Sequence, residues 1–161
     1  MADSIALTEF KQGVKKLRES RSVDALQHFR RAAEMEKSNP YFLSFVGVSM
    51  ARAERRWQPA MQLCESALNM KRNDAQLYLN LAEVYTSAGH REEALITLER
   101  GLASLGPVAR IQQARLKLGQ RRAPALPFLG RENIVNRQIG IVRHRIMEWF
   151  SRFRPNMLHS S

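Results

Sequence analysis

Side chains able to do acid–base, nucleophilic or metal chemistry are sparse in this chain of 161 residues. The thiol is Cys64, and the imidazoles are His28, His90, His144 and His159, far apart in sequence. A single cysteine excludes a disulfide framework and a multi-thiolate zinc site. His144 and Glu148 stand four residues apart, on one helix face, but two ligands without a third do not make a catalytic metal centre. The chain has no glycine-rich phosphate loop, nucleophile elbow or paired-carboxylate arrangement. No catalytic residue, metal or cofactor is therefore expected, and the chain reads as a non-enzyme.

Composition points to a folded, water-exposed protein. Hydrophobic residues make up 44% and charged residues 25%, which is globular composition. No apolar run approaches the length of a membrane span, and the start of the chain lacks the basic-then-apolar pattern of a secretory signal. A reducing, cytoplasmic location is expected. The net charge of +11 is distributed unevenly. Residues 107–161 carry eleven Lys/Arg against two Asp/Glu, a balance of +9, so the preceding segment is nearly neutral. That asymmetry predicts two functional parts.

The elements that hold these residues repeat. Gly13, Gly47 and Ala82 are spaced by 34 and 35 residues, and Ala25, Ala60 and Ala94 by 35 and 34. Phe29, Cys64 and Leu98 keep the same period, as do Ala32, Ala67 and Gly101. Small residues at fixed helical positions let two helices approach closely. Leu7, Phe10, Val14 and Leu17 lie on one face of a helix. Ser22 is expected to cap a helix beginning at Val23. Asn39-Pro40, Gln58-Pro59 and Asp74 mark further helix starts, while Gly89 and Gly106-Pro107 mark ends.

In these columns the chain resembles the tetratricopeptide repeat family, whose pattern places Leu-Gly and Tyr on a first helix and Ala, Phe and Ala on a second. Tyr78, Leu81-Ala82, Tyr85, Gly89, Ala94, Leu98 and Gly101 fit it best. Repeat two carries Val46-Gly47, Ala60, Cys64 and Ala67, and repeat one Gly13, Ala25, Phe29 and Ala32. Repeat one departs from the pattern at Glu9, Gln12 and Lys16, where apolar residues are usual. The resemblance implies an all-α solenoid of antiparallel helix pairs over 6–39, 40–74 and 75–106. A capping helix over 107–119 presents Val108, Ile111, Ala114 and Leu118 to the last pair, because a solenoid must cover its terminal apolar surface. A linker over 120–133 and a basic amphipathic helix over 134–154 are expected to follow.

The resemblance also implies a peptide-binding groove along the first helix of each repeat. Its candidate residues are Phe10, Val14 and Leu17 from repeat one. Repeat two adds Tyr41, Val48 and Arg52, and repeat three adds Gln76, Leu79 and Glu83. Some family members hold a peptide's terminal carboxylate with a Lys/Asn/Arg clamp. The matching positions here are Phe10, Val14, Phe45, Gln76 and Asn80, so that clamp is absent. The expected function is that of an adaptor or scaffold for a protein or peptide partner. In the last third, Ile139, Val142, Ile146, Trp149 and Phe153 form an apolar stripe beside Arg143, Arg145 and Arg152. Such a stripe can pack on its own protein, on a second copy as a homodimer, or on an anionic membrane surface. It can also enter a partner's groove, and its arginines can contact nucleic-acid phosphates, though nucleic acid is the least expected partner.

Overall fold

Each helix leaves its first N–H groups without intrahelical partners, so residues just before a helix decide where it begins. The computed structural model describes residues 4–119; the expected linker 120–133 and helix 134–154 lie outside them. Seven helices and no strand are found among the described residues: α1 (Ile5–Arg18), α2 (Ser22–Met35), α3 (Pro40–Glu54), α4 (Trp57–Met70), α5 (Ala75–Ser87), α6 (Arg91–Leu105) and α7 (Ala109–Gly119). Three starts use side-chain caps. Ser4 Oγ accepts from Leu7 N, Asn39 Oδ1 from Tyr41 N, and Asp74 Oδ1 from Gln76 N. Pro40 and Pro59 fall in the first turns of α3 and α4, where a missing N–H costs nothing.

The start of α2 differs from the sequence expectation. Ser22 is the first helical residue rather than the cap, and the cap position, Arg21, makes no side-chain cap bond. Arg21 Nε instead donates to the Asp24 carboxylate at 2.6 Å. Asp24 places negative charge in the first turn, where the helix dipole favours it.

Turns within the pairs recur with the sequence period. Ser20, Arg55 and Gly89 have φ of 61°, 55° and 86°, the left-handed conformation that lets the chain reverse after α1, α3 and α5. Only the third of these turns uses glycine.

The helices pack as α1 on α2, α3 on α4 and α5 on α6, with α7 against α6 and α5. Successive pairs meet through α2–α3, α3–α5 and α4–α5. The small-residue columns sit where the paired helices cross. Ala25, Ala60 and Ala94 are all 0% exposed, as are Phe29, Cys64 and Leu98. A Cβ on Gly13 would lie 2.6 Å from the Phe29 ring, so the glycine makes room for that ring against α1. Gly101 leaves the corresponding space for Tyr78 and for Ile111 of α7, which is fully buried.

The polar departures of repeat one are accommodated at its surface. Glu9 accepts from His28 Nδ1 at 2.7 Å across α1 and α2, Lys16 pairs with Glu19 at 3.4 Å, and Gln12 is exposed. A buried polar group in α3 lacks such a partner. Ser49 is 0% exposed and its hydroxyl makes no hydrogen bond. An unmade bond in the interior costs about 1–3 kcal/mol. Ser49→Ala is therefore expected to stabilise the fold by about 1 kcal/mol, and a lowered denaturation midpoint would show that the hydroxyl has a partner in solution.

Candidate functional site

The first helix of each pair, together with α7, builds one face, and its polar residues bridge from helix to helix. Arg52 of α3 pairs with Glu83 of α5 at 2.6 Å. Arg110 of α7 donates to Gln76 Oε1 at 3.0 Å, and Gln76 Nε2 donates to Asn80 Oδ1 at 2.8 Å. Asn80 is 3% exposed and its amide donates to Ser44 Oγ of α3 at 2.7 Å. The chain α7–α5–α3 is thus crossed by a continuous line of hydrogen bonds. Buried amides and hydroxyls satisfied in this way fix the relative register of the helices.

A second bridge lies at the start of α3. Tyr41 donates its hydroxyl proton to the Asp74 carboxylate and accepts from Lys71 Nζ at 2.8 Å. Lys71 also lies 3.6 Å from that carboxylate and 4.7 Å above the Tyr41 ring. Partial burial opposes ionisation of Asp74. The bonds from Tyr41 and Gln76 N and the charge of Lys71 outweigh it, holding the carboxyl below its ordinary range. A lowered folded value means that the ionised group stabilises the fold above the unfolded carboxyl range, and that this contribution is lost as pH falls through the folded value. Stability should therefore decline below about pH 4, and Asp74→Asn should flatten that decline. Equal acid titration of stability in both proteins would remove Asp74 from the account.

Cys64 is sealed between α3 and α4, where its thiol donates to the Ser44 carbonyl at 3.4 Å. Burial pushes its pKa up to about 12, so the reactive thiolate is not formed at neutral pH. A soluble alkylating reagent should leave Cys64 unmodified in the folded protein and modify it fully in denaturant. Rapid labelling of the native chain would mean that the α3–α4 contact opens. Among the described residues, no group of three or more His, Cys, Asp and Glu side chains is placed to hold a metal ion.

The expected groove residues divide into three groups. Phe10, Val14 and Leu17 are half-buried, and Phe10 belongs to an aromatic cluster with Phe29, Phe42 and Phe45 at ring separations of 5.4, 5.0 and 5.1 Å. Tyr41, Arg52, Gln76 and Glu83 take part in the bridges described above, and Leu79 is half-buried against the core. Val48 is only 2% exposed and packs in the interior, so it presents almost no surface to a ligand. Ile139, Val142, Arg143, Arg145, Ile146, Trp149, Arg152 and Phe153 lie outside the described residues.

Sequence reasoning missed the bridges made by Arg110, Lys71 and Asp74. A signal was present: Tyr41 and Asp74 are 33 residues apart, Gln76 and Arg110 are 34, and Ser44 and Asn80 are 36. Complementary polar residues separated by about one repeat mark contacts between successive first helices.

At the α1 end this face opens into a pocket of about 570 Å³, lined by Phe10, Lys11, Val14, Lys15, Arg18 and Glu19. Its apolar floor comes from Phe10 and Val14, and its rim from charged side chains.

Helix pairs stacked at a period of 34 to 35 residues, with an open first-helix face, define an α-solenoid of the interaction-module class. Residues 51–118 match the family described as "Tetratricopeptide repeat", and the helix pairs have the fold of such repeats. Solved structures agree in fold. The first such domain of Spaghetti (RPAP3), bound to an HSP90 peptide, aligns with a TM-score of 0.61 at 18% identity, over 74% of this chain and 97% of that one. The TPR2B domain of yeast Sti1, in complex with pHsp70, aligns at 0.59 and 20% identity, over 73% and 98%. The Yersinia enterocolitica type III secretion chaperone SycD, with a peptide of the translocator YopD, aligns at 0.59 and 11% identity, over 73% and 89%. At these identities the likeness is one of fold. No curated protein sequence matches the chain. Among the described residues, no helix is long and apolar enough to cross a membrane.

Proposed function

We propose that this protein is a non-catalytic adaptor of the cytoplasm that binds a peptide or helix of a partner protein on the face shared by α1, α3, α5 and α7. The observation that carries this reading is the open pocket at α1, with apolar Phe10 and Val14 exposed to it beneath a charged rim. The relatives of like fold that were solved with HSP90, pHsp70 and YopD partners support it. Contacts are assigned to Phe10, Val14, Leu17, Tyr41 and Leu79, while Arg52, Gln76 and Glu83 line the face within the bridges that join its helices. Val48 is left out because it is buried.

The test is cross-linking in cells with a photoreactive residue in the full-length chain. The probe replaces exposed Thr86 on α5 or, as a control, exposed Ser66 on α4. The adaptor reading expects a discrete partner captured from position 86 and not from 66. Identical capture from both positions, or none from 86, would reject the shared face as the binding surface.

A second reading rests on the charge of the last third. The arginine-rich stripe of residues 139–153 supports recruitment to an anionic membrane surface. Sedimentation of the full chain with phosphatidylserine vesicles, lost on deletion of residues 134–161, is its expected result. Equal sedimentation of both chains would assign membrane binding elsewhere or dismiss it.

A further inference from the structure

The α1 pocket has a chemistry that narrows what it can accept. Lys11, Lys15 and Arg18 are spaced i, i+4 and i+7, so they project from one side of α1. Phe10 and Val14, one turn apart, form the floor beside them. Lys15 and Arg18 are exposed and have no ion pair among the described residues. The pocket's own carboxylate, Glu19, is engaged by Lys16 at 3.4 Å. Elsewhere Arg52 is matched by Glu83 and Lys71 by Asp74, while Arg110 is bonded to the neutral Gln76. The α1 end thus offers positive charge around an apolar floor.

The positions that match the family's carboxylate clamp do not offer a polar grip for a chain terminus. Phe10 and Val14 have no polar side-chain atom. Asn80 is buried and its amide is committed to Ser44, while Gln76 is held between Arg110 and Asn80. Resting on the adaptor reading above, we infer that the α1 pocket takes an acidic amphipathic segment from within a partner protein, and that no terminal carboxylate is required. Two apolar side chains of that segment, one helical turn apart, seat on Phe10 and Val14. Its carboxylates face Lys15 and Arg18.

The experiment uses the full chain and a fluorescein-labelled peptide with leucines at i and i+4 among glutamates, followed by fluorescence anisotropy. The C-terminally amidated and free-acid forms are expected to bind within about twofold of one another. Replacing the glutamates with lysines should weaken binding by about tenfold or more, and so should the double variant Lys15→Glu/Arg18→Glu. Both sites are exposed, and an unchanged thermal melt of the variant would exclude misfolding. Raising the salt should weaken the acidic peptide, because exposed charges are screened. Strong preference for the free-acid form would overturn the inference in favour of terminus recognition. Equal binding of the lysine peptide would remove the charge argument. If anionic vesicles bind in a Lys15/Arg18-dependent way while the peptide does not, the surface belongs to lipid instead. Failure of the acidic peptide, with capture from position 86 intact, would sink this inference and leave the adaptor reading standing.

Discussion

Gly47→Ala should destabilise the repeats by about 2–3 kcal/mol, the upper part of the usual overpacking range. A Cβ at this position would lie 2.7 Å from Cys64 Sγ and 2.8 Å from the Ala60 carbonyl oxygen. The second neighbour is backbone inside α4, so it cannot turn aside as a flexible side chain does. Relief requires α3 and α4 to separate, and with them the buried contacts of Ala60 and Cys64. The neighbouring repeats should suffer as well. In a linear stack each repeat touches only its neighbours, so weakening the middle one uncouples the two ends. Hydrogen exchange is expected to quicken in α2 and α5 as well as in α3 and α4. Gly119→Ala is the control, since a Cβ there meets nothing within 4 Å. Melting temperatures that fall equally in both variants would contradict the close α3–α4 approach.

The second large effect belongs to Phe29. Its ring is fully buried and lies 5.4 Å from Phe10 and 5.2 Å from Phe45, joining α1, α2 and α3. Phe29→Ala should cost about 3–5 kcal/mol, the sum of lost transfer energy and the cavity left behind. The space Gly13 provides on α1 enlarges that cavity, because no side chain from position 13 can fill it. Chemical denaturation of the variant checks the magnitude. A second measurement checks the mechanism: Phe29→Leu should recover at least half of the loss, since it refills most of the volume. A loss below about 1 kcal/mol for Phe29→Ala would mean that the cluster is not closed as described.

The aromatic cluster also bears on binding. Phe10 was expected to face a partner, and it does line the α1 pocket, but most of its ring is held by three other phenylalanines. A Phe10 substitution would therefore mix loss of stability with loss of affinity. The exposed cations Lys15 and Arg18 separate the two, because they contribute charge to the pocket and little to the core.

Much of the fold was legible because its signals are local or periodic. A helix start is chosen by the residues that satisfy its first N–H groups, so Asn39-Pro40 and Asp74 could be read directly. The small columns at Gly13, Gly47, Ala25, Ala60 and Ala94 needed no structure, since a spacing of 34 to 35 residues places them at equivalent crossings. Cys64 was readable as core because it shares a column with Phe29 and Leu98. Ser22 was misread because a serine beside a helix start competes with a nearby ion pair. Here Arg21 and Asp24 set the first turn.

How much of each helix face is covered depends on the packing of the folded chain. Periodicity assigns Val48 and Leu79 to faces, but packing against the neighbouring helices buries the first and leaves the second partly open. Packing of α3 beside α5 brings Tyr41 to Asp74 and Asn80 to Ser44, and packing of α5 on α7 brings Arg110 to Gln76. These are pairs about one repeat apart whose side chains must also point at each other. The helices, their pairing and the columns that allow close approach are legible from residue order alone, because they follow from backbone satisfaction and side-chain size. Helix crossing and register, set by the packing of whole side chains, determined which polar groups bridge the repeats and left the α1 pocket open.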